Sequence, residues 1–194
     1  MEKIKNVCLF LLLLLLASCQ PPHEFAGAQL SAPHPAPDTV LESANGAVSL
    51  RDFQGKYTFV YFGYTFCPDV CPTTLSMLKR VKAGLGEAAD EIAVVMITVD
   101  PERDTPERLA EYTAYFDESF VGLSGNKEAI DEIGEPFGLY YHKHEGSENS
   151  GYLVDHTARV YLLDQASNAI VAYPYEVTAD LILNDLNYLI KNQS

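Results

Sequence analysis

The chain has 194 residues, 47% hydrophobic and 21% charged, with 12 Gly and 11 Pro, the proportions of one globular domain rather than of a disordered, collagen-like or multi-domain chain. Thirteen Lys and Arg against 27 Asp and Glu give a net charge of -14, and the basic residues form no stripe that could cradle a phosphate backbone, which argues against nucleic acid as a partner. The four cysteines, Cys8, Cys19, Cys67 and Cys71, are too few for a disulfide scaffold and wrongly spaced for a four-cysteine zinc ribbon.

The N-terminus divides those cysteines. Lys3 and Lys5 precede an unbroken apolar run of 11 residues, Val7 to Ala17, and small residues follow it. A secretory signal peptide has this order of parts. The run is shorter than the roughly 20 apolar residues of a membrane-spanning helix. Leu16-Ala17-Ser18-Cys19 resembles a bacterial lipobox, so residues 1–18 read as a lipoprotein signal, with Cys19 the lipidated residue at an extracytoplasmic membrane face. Cleavage leaves 26 acidic and 11 basic residues and a net charge of -15, with Cys67 and Cys71 the remaining free thiols. Residues 19–38, rich in Pro and Ala, read as a flexible tether in which His23 and His34 are solvated. At about 3.3 Å per extended residue it would reach roughly 60 Å.

Residues 39–194 are expected to form the domain. Asn45-Gly46 between Val40-Leu41 and Val48-Leu50 signals an N-terminal β-hairpin. Thr58 to Tyr64 is an apolar, aromatic and β-branched run typical of a buried strand. Pro72 opens a helix that ends near Gly84 and Gly86. Ile92 to Asp100 is a second buried strand, after which Asp104 or Thr105 can cap a helix with Pro106 in its first turn. Phe120 to Leu123 reads as a short strand and Asn126 to Phe137 as a helix. His142 and His144 precede the polar turn EGSENSG and read as a solvated hairpin tip rather than as a second metal site, the alternative that a His-x-His pair on one strand face offers, since no cysteine or third histidine is near in sequence. His156 to Asp164 and Ala169 to Tyr175 read as a hairpin, and Thr178 as the cap of a final helix. The order β-α-β-α then β-β-α is that of an α/β, thioredoxin-like fold, a central mixed sheet flanked by helices.

Functional groups of such sheets gather beyond the carboxyl ends of the parallel strands. Cys67 and Asp100 follow two of them, and His156 begins a later strand that reaches the same edge if it runs antiparallel. Cys67 and Cys71 stand four apart where a strand enters a helix, so one helical face carries both, about 6 Å apart at Cα. That spacing fits a shared metal ion, and also a disulfide or two buried structural cysteines. The helix N-terminus favours thiolates, with Asp69 acting in the opposite direction. Two thiolates with the His156 imidazole form a soft, low-coordination set that suits Cu(I) and Cu(II), whereas zinc takes a fourth ligand or keeps an open catalytic position. Asp155, beside His156, is assigned a structural role.

Three segments in order, FGYTFCPDVCPTTL, TVDPERDTPERL and YLVDHTARVYLLD, resemble the Sco/SenC family of copper chaperones for cytochrome c oxidase assembly. The resemblance runs from about Val40 to Ile190. It implies a thioredoxin-like fold and one copper ion held by Cys67, Cys71 and His156. It further implies a role in building the CuA centre of cytochrome c oxidase subunit II, by delivering copper or by reducing that subunit's cysteines, with a copper donor and a thiol reductant as further partners. Many relatives are anchored by a transmembrane helix, where this chain carries a lipobox. Asp100 and Asp104 are candidates to steer a cation or a basic partner surface, with Arg103 able to pair with either. Tyr61, Phe62, Tyr64 and Phe66 are candidates to shield or dock at the site, Phe66 as the exposed one. The same cysteine pair also suits an extracytoplasmic thiol-disulfide oxidoreductase or redox sensor, although such enzymes carry Cys-x-x-Cys and a cis-proline where this chain has Asp155-His156.

Overall fold

The computed structural model describes residues 22–145 and 151–192. In chain order its elements are β1 (Ala28–Pro35), β2 (Leu41–Ser43), β3 (Gly46–Val48), β4 (Tyr57–Gly63), α1 (Val70–Gly84), β5 (Ile92–Thr98), α2 (Pro106–Ala114), β6 (Val121–Leu123), α3 (Lys127–Gly134), β7 (Tyr141–Glu145), β8 (Tyr152–His156), β9 (Arg159–Leu163), β10 (Asn168–Pro174) and α4 (Ala179–Lys191). The central sheet has the order β1-β10-β9-β4-β5-β6. β4, β5 and β6 run parallel, and β9 is antiparallel to β4. It is the mixed sheet of a thioredoxin-like fold.

All seven residues of β4 are buried, as expected of a strand covered on both faces, whose apolar residues run on rather than alternate. Phe59, Val60, Tyr61 and Phe62 are fully inaccessible and pack with Val95, Met96 and Ile97 of β5. Removing such side chains from water stabilises the fold by about 1.5–3 kcal/mol each. Helix α1 buries Cys71, Thr74, Leu75, Met77, Leu78 and Val81, a stripe at helical spacing. It lies against α4, with the Gly84 backbone close to Leu183. The turn at Asn45-Gly46 is a hairpin between β2 and β3, with Gly46 at φ 118°, a conformation open mainly to glycine.

Three sequence expectations change. Ala28–Pro35, read as tether, pairs antiparallel with β10 as the edge strand, with an irregular register between Gln29 and His34. Its prolines hid it, yet an edge strand needs hydrogen bonds on one side only and tolerates Pro. His23, read as solvated, lies 2.7 Å through Nε2 from the buried carboxylate of Asp185 and stacks on Tyr188. The chain from His23 onward is docked on the domain, and the 60 Å reach does not apply to it. Thirdly, the run from His156 to Asp164 is two strands. His156 ends β8, which pairs with β7 in a separate two-stranded sheet, and β9 begins at Arg159. The expected signal segment 1–18, with Cys8, and the expected lipidation site Cys19 lie outside the described residues.

Candidate metal centre

The Cys67 and Cys71 loop leaves the end of β4 at the middle of the sheet. Asp69 stands at the N-cap of α1 but makes no side-chain cap bond. The first turn instead donates the Cys71 N–H to the Cys67 sulfur at 3.4 Å, so a thiolate takes the place of a capping oxygen and faces the positive end of the helix. Cys67 is half-buried and Cys71 buried, and both are free thiols. Room for the inner sulfur comes from Gly63, where a Cβ would stand 3.0 Å from Cys71 Sγ.

His156 arrives from the β7–β8 hairpin. Its Nε2 lies 3.7 Å from Cys71 Sγ, and its Nδ1 is 3.3 Å from the Thr157 carbonyl oxygen. The ligand atoms of Cys67, Cys71 and His156 all lie within 4.8 Å of one another, the one group of three or more such residues among those described. Residues separated by 85 positions thus meet at one point. Tyr61 and Tyr64 present their rings edge-on to the imidazole, and the Tyr61 hydroxyl donates to Cys71 Sγ at 3.3 Å.

The two sulfurs differ in acidity. Hydrogen bonding from Cys71, with help from His156 and two backbone N–H groups, brings Cys67 down to about 4 against the opposing effect of burial. Burial, followed by the neighbouring Cys67, pushes Cys71 well above the ordinary thiol range. At neutral pH the pair holds one outer thiolate and one inner thiol. A soft metal cation bound there would have to replace that inner proton, since the thiolate is the metal-ligating form of cysteine.

Asp100 and Asp104 are fully buried, so neither steers a cation from the surface nor meets a basic partner. Asp104 accepts bonds from the Thr65 N–H and hydroxyl and from Thr98 Oγ1, tying the loops after β4 and β5 together. Burial holds its carboxyl above the usual range. The cap of α2 is Thr105, which accepts from Arg108 N. Asp100 accepts from Arg103 Nε at 2.5 Å and from the Tyr152 hydroxyl at 2.6 Å. Arg103 also donates to the Tyr152 carbonyl oxygen, and its guanidinium lies 3.6 Å from the Tyr152 ring centroid and 4.4 Å from that of Phe66. Phe66, 40% exposed beside Cys67, is flanked on another side by Arg108 at 4.3 Å. Asp155 turns away from His156 and meets His144.

Sequence reasoning passed over Tyr152 and gave Arg103 no structural task beyond an ion pair. A signal existed: in YLVDH, Tyr152, Val154 and His156 alternate and so share one strand face.

A model of the family described as SCO1/SenC matches residues 31–191. The chain belongs to the SCO1/SenC family. It is 36% identical over 129 residues to an SCO2-like protein of Rickettsia conorii, a match covering 66% of this chain and 63% of that relative. Among solved structures it resembles the apo Sco1 protein of Thermus thermophilus with a TM-score of 0.77 and 40% identity, over 88% of this chain and 99% of that one. It also resembles the ScoI protein of Bradyrhizobium japonicum solved with copper bound, with a TM-score of 0.71 and 35% identity, over 79% and 98% of the two chains.

Proposed function

We propose that this SCO1/SenC protein is a copper metallochaperone that binds one ion through Cys67, Cys71 and His156. The carrying observation is the convergence of those three ligand atoms within 4.8 Å, in a soft donor set that suits copper. A relative of 35% identity with copper bound supports the choice of metal. Copper is cargo here: Cys67 offers the first thiolate at the rim, Cys71 releases its proton as the second ligand, and His156 closes the set from the hairpin. Release to a partner is ligand exchange through the half-buried Cys67. The recipient in this reading is the CuA centre of cytochrome c oxidase subunit II, a choice supported by membership of the SCO1/SenC family. The lipobox residues support anchoring at Cys19 on an extracytoplasmic membrane face; no described helix is long and apolar enough to cross a membrane.

The test adds copper to the reduced chain and reads stoichiometry and thiolate-to-copper charge-transfer absorption, with and without His156→Ala. One ion per chain, weakened by the substitution, supports the proposal. Absence of binding, or indifference to His156, overturns it.

A second reading is favoured by the acidity difference of the two thiols. The Cys67 thiolate would attack a partner disulfide, displacing one partner thiolate. Cys71 would then resolve the mixed disulfide, so that two electrons pass to the partner and the pair ends oxidised. In that case Cys67→Ser abolishes reduction of the partner while His156→Ala leaves it intact.

A further inference from the structure

The His-x-His pair of β7 is a motif that the cysteine-histidine cluster leaves unused. In the β7–β8 hairpin His142 stands directly opposite Asp155, and His144 opposite Leu153. Opposite and alternate residues share a face, so His142, His144 and Asp155 stand on one face and His156 on the other. His144 Nε2 lies 3.1 Å from Asp155 Oδ1. Its Nδ1 lies 3.2 Å from the Glu145 carbonyl oxygen. The ring nitrogen and the carboxylate thus already face one another, and a metal cation can take the place of the proton that joins them. A separation of 3.1 Å is that of two neighbouring ligands on an ion with bonds of about 2.0–2.1 Å. His142 is exposed, with no side-chain bond among the described residues. Directly opposite Cβ atoms lie about 4.5–5.5 Å apart, so rotating the exposed imidazole supplies a third ligand without moving the backbone.

We propose that His142, His144 and Asp155 form a second metal site that takes Cu(II) from solution. Two imidazoles and a carboxylate are harder than the Cys67–Cys71–His156 set, and among divalent first-row ions Cu(II) binds such ligands most tightly. His144 and Asp155 line the same groove as Cys67 and His156. The strong negative charge of the chain favours arrival of a cation.

The test uses the full-length chain carrying Cys67→Ser, Cys71→Ser and His156→Ala, which removes the first cluster. A Cu(II) salt is titrated against glycine as competitor, with the electron paramagnetic resonance spectrum read at each step. The expected result is one Cu(II) with nitrogen hyperfine structure and no thiolate charge transfer. Adding His142→Ala and His144→Ala weakens it at least tenfold, while circular dichroism stays unchanged because the hairpin face is exposed. Unchanged affinity overturns the proposal, as does a loss that follows His23→Ala or His34→Ala instead. In the otherwise native chain, His142→Ala/His144→Ala leaves the thiolate band in place, so failure here is distinct from failure of the copper site above.

Discussion

The cysteine pair and the histidine of the same site stand on ground of very different rigidity. Cys67 and Cys71 leave the end of β4, whose residues are buried throughout and which pairs on both sides within the six-stranded sheet. His156 stands on a two-stranded hairpin outside that sheet, a unit of marginal stability by itself. It is fastened by a few side-chain links: Tyr64 accepting from Val154 N, Arg103 with Asp100 and Tyr152, and Lys143 with Glu102. The core fixes the thiols, and a clamp holds the imidazole. The proposed role of a carrier that both takes and releases an ion would be served by one fixed pair of ligands and a third on an arm.

That contrast can be broken from the rigid side first. Phe59→Ala empties a fully buried position of β4 and is expected to cost about 3–5 kcal/mol. Urea unfolding reports the loss, and copper binding falls with the fold as a whole. From the other side, Arg103→Met leaves Asp100 buried without its cation and is expected to cost about 3 kcal/mol. Its distinguishing effect is local: hydrogen exchange quickens at Val154 while β4 and β5 stay protected, and the copper spectrum moves toward that of His156→Ala. Equal loosening of β4 would contradict the division into fixed and clamped ligands.

Two further outcomes sharpen the difference between the thiols. Cys67, at about 4, is a thiolate from neutral pH down to that value, so its alkylation by iodoacetamide, read by mass spectrometry, stays flat between pH 8 and 5 and falls as pH drops through about 4. Cys71 lies above the ordinary range and is buried, so it reacts slowly and keeps its proton at neutral pH. Copper loading therefore releases that proton, and affinity rises with pH up to tenfold per pH unit, about 1.4 kcal/mol. Competition titrations at pH 6, 7 and 8 measure it. The smallest effect is that of Tyr61→Phe. Loss of the hydroxyl donor to Cys71 costs about 1 kcal/mol, raises Cys71 further and weakens copper binding most at low pH.

The three residues of the candidate site, which the structure brings together, were legible in the sequence because their signals are local. Cys67 and Cys71 are joined by helical spacing, and His156 lies within a recognisable segment, YLVDHTARVYLLD. The buried strands and the Asn45-Gly46 turn were legible for the same reason. For Asp100 and Asp104 the Arg103 ion pair is formed but surface steering is not, because an acidic loop has the same composition whether it faces solvent or is folded under two neighbouring loops. Thr65, Thr98, Arg103 and Tyr152 supply the donors that make such burial possible, and they come from separate parts of the chain. β1 was hidden because its pairing lies in β10 rather than in its own Pro-rich pattern.

The sequence by itself determined the fold class and the three candidate ligand residues with their chemical softness, since periodicity, spacing, side-chain type and motif resemblance need no knowledge of distant contacts. Only the tertiary structure decided which thiol is the acid, what fastens the histidine arm, and that His142, His144 and Asp155 share a face. Those properties depend on burial and strand register, which arise when segments far apart in the chain exclude water together.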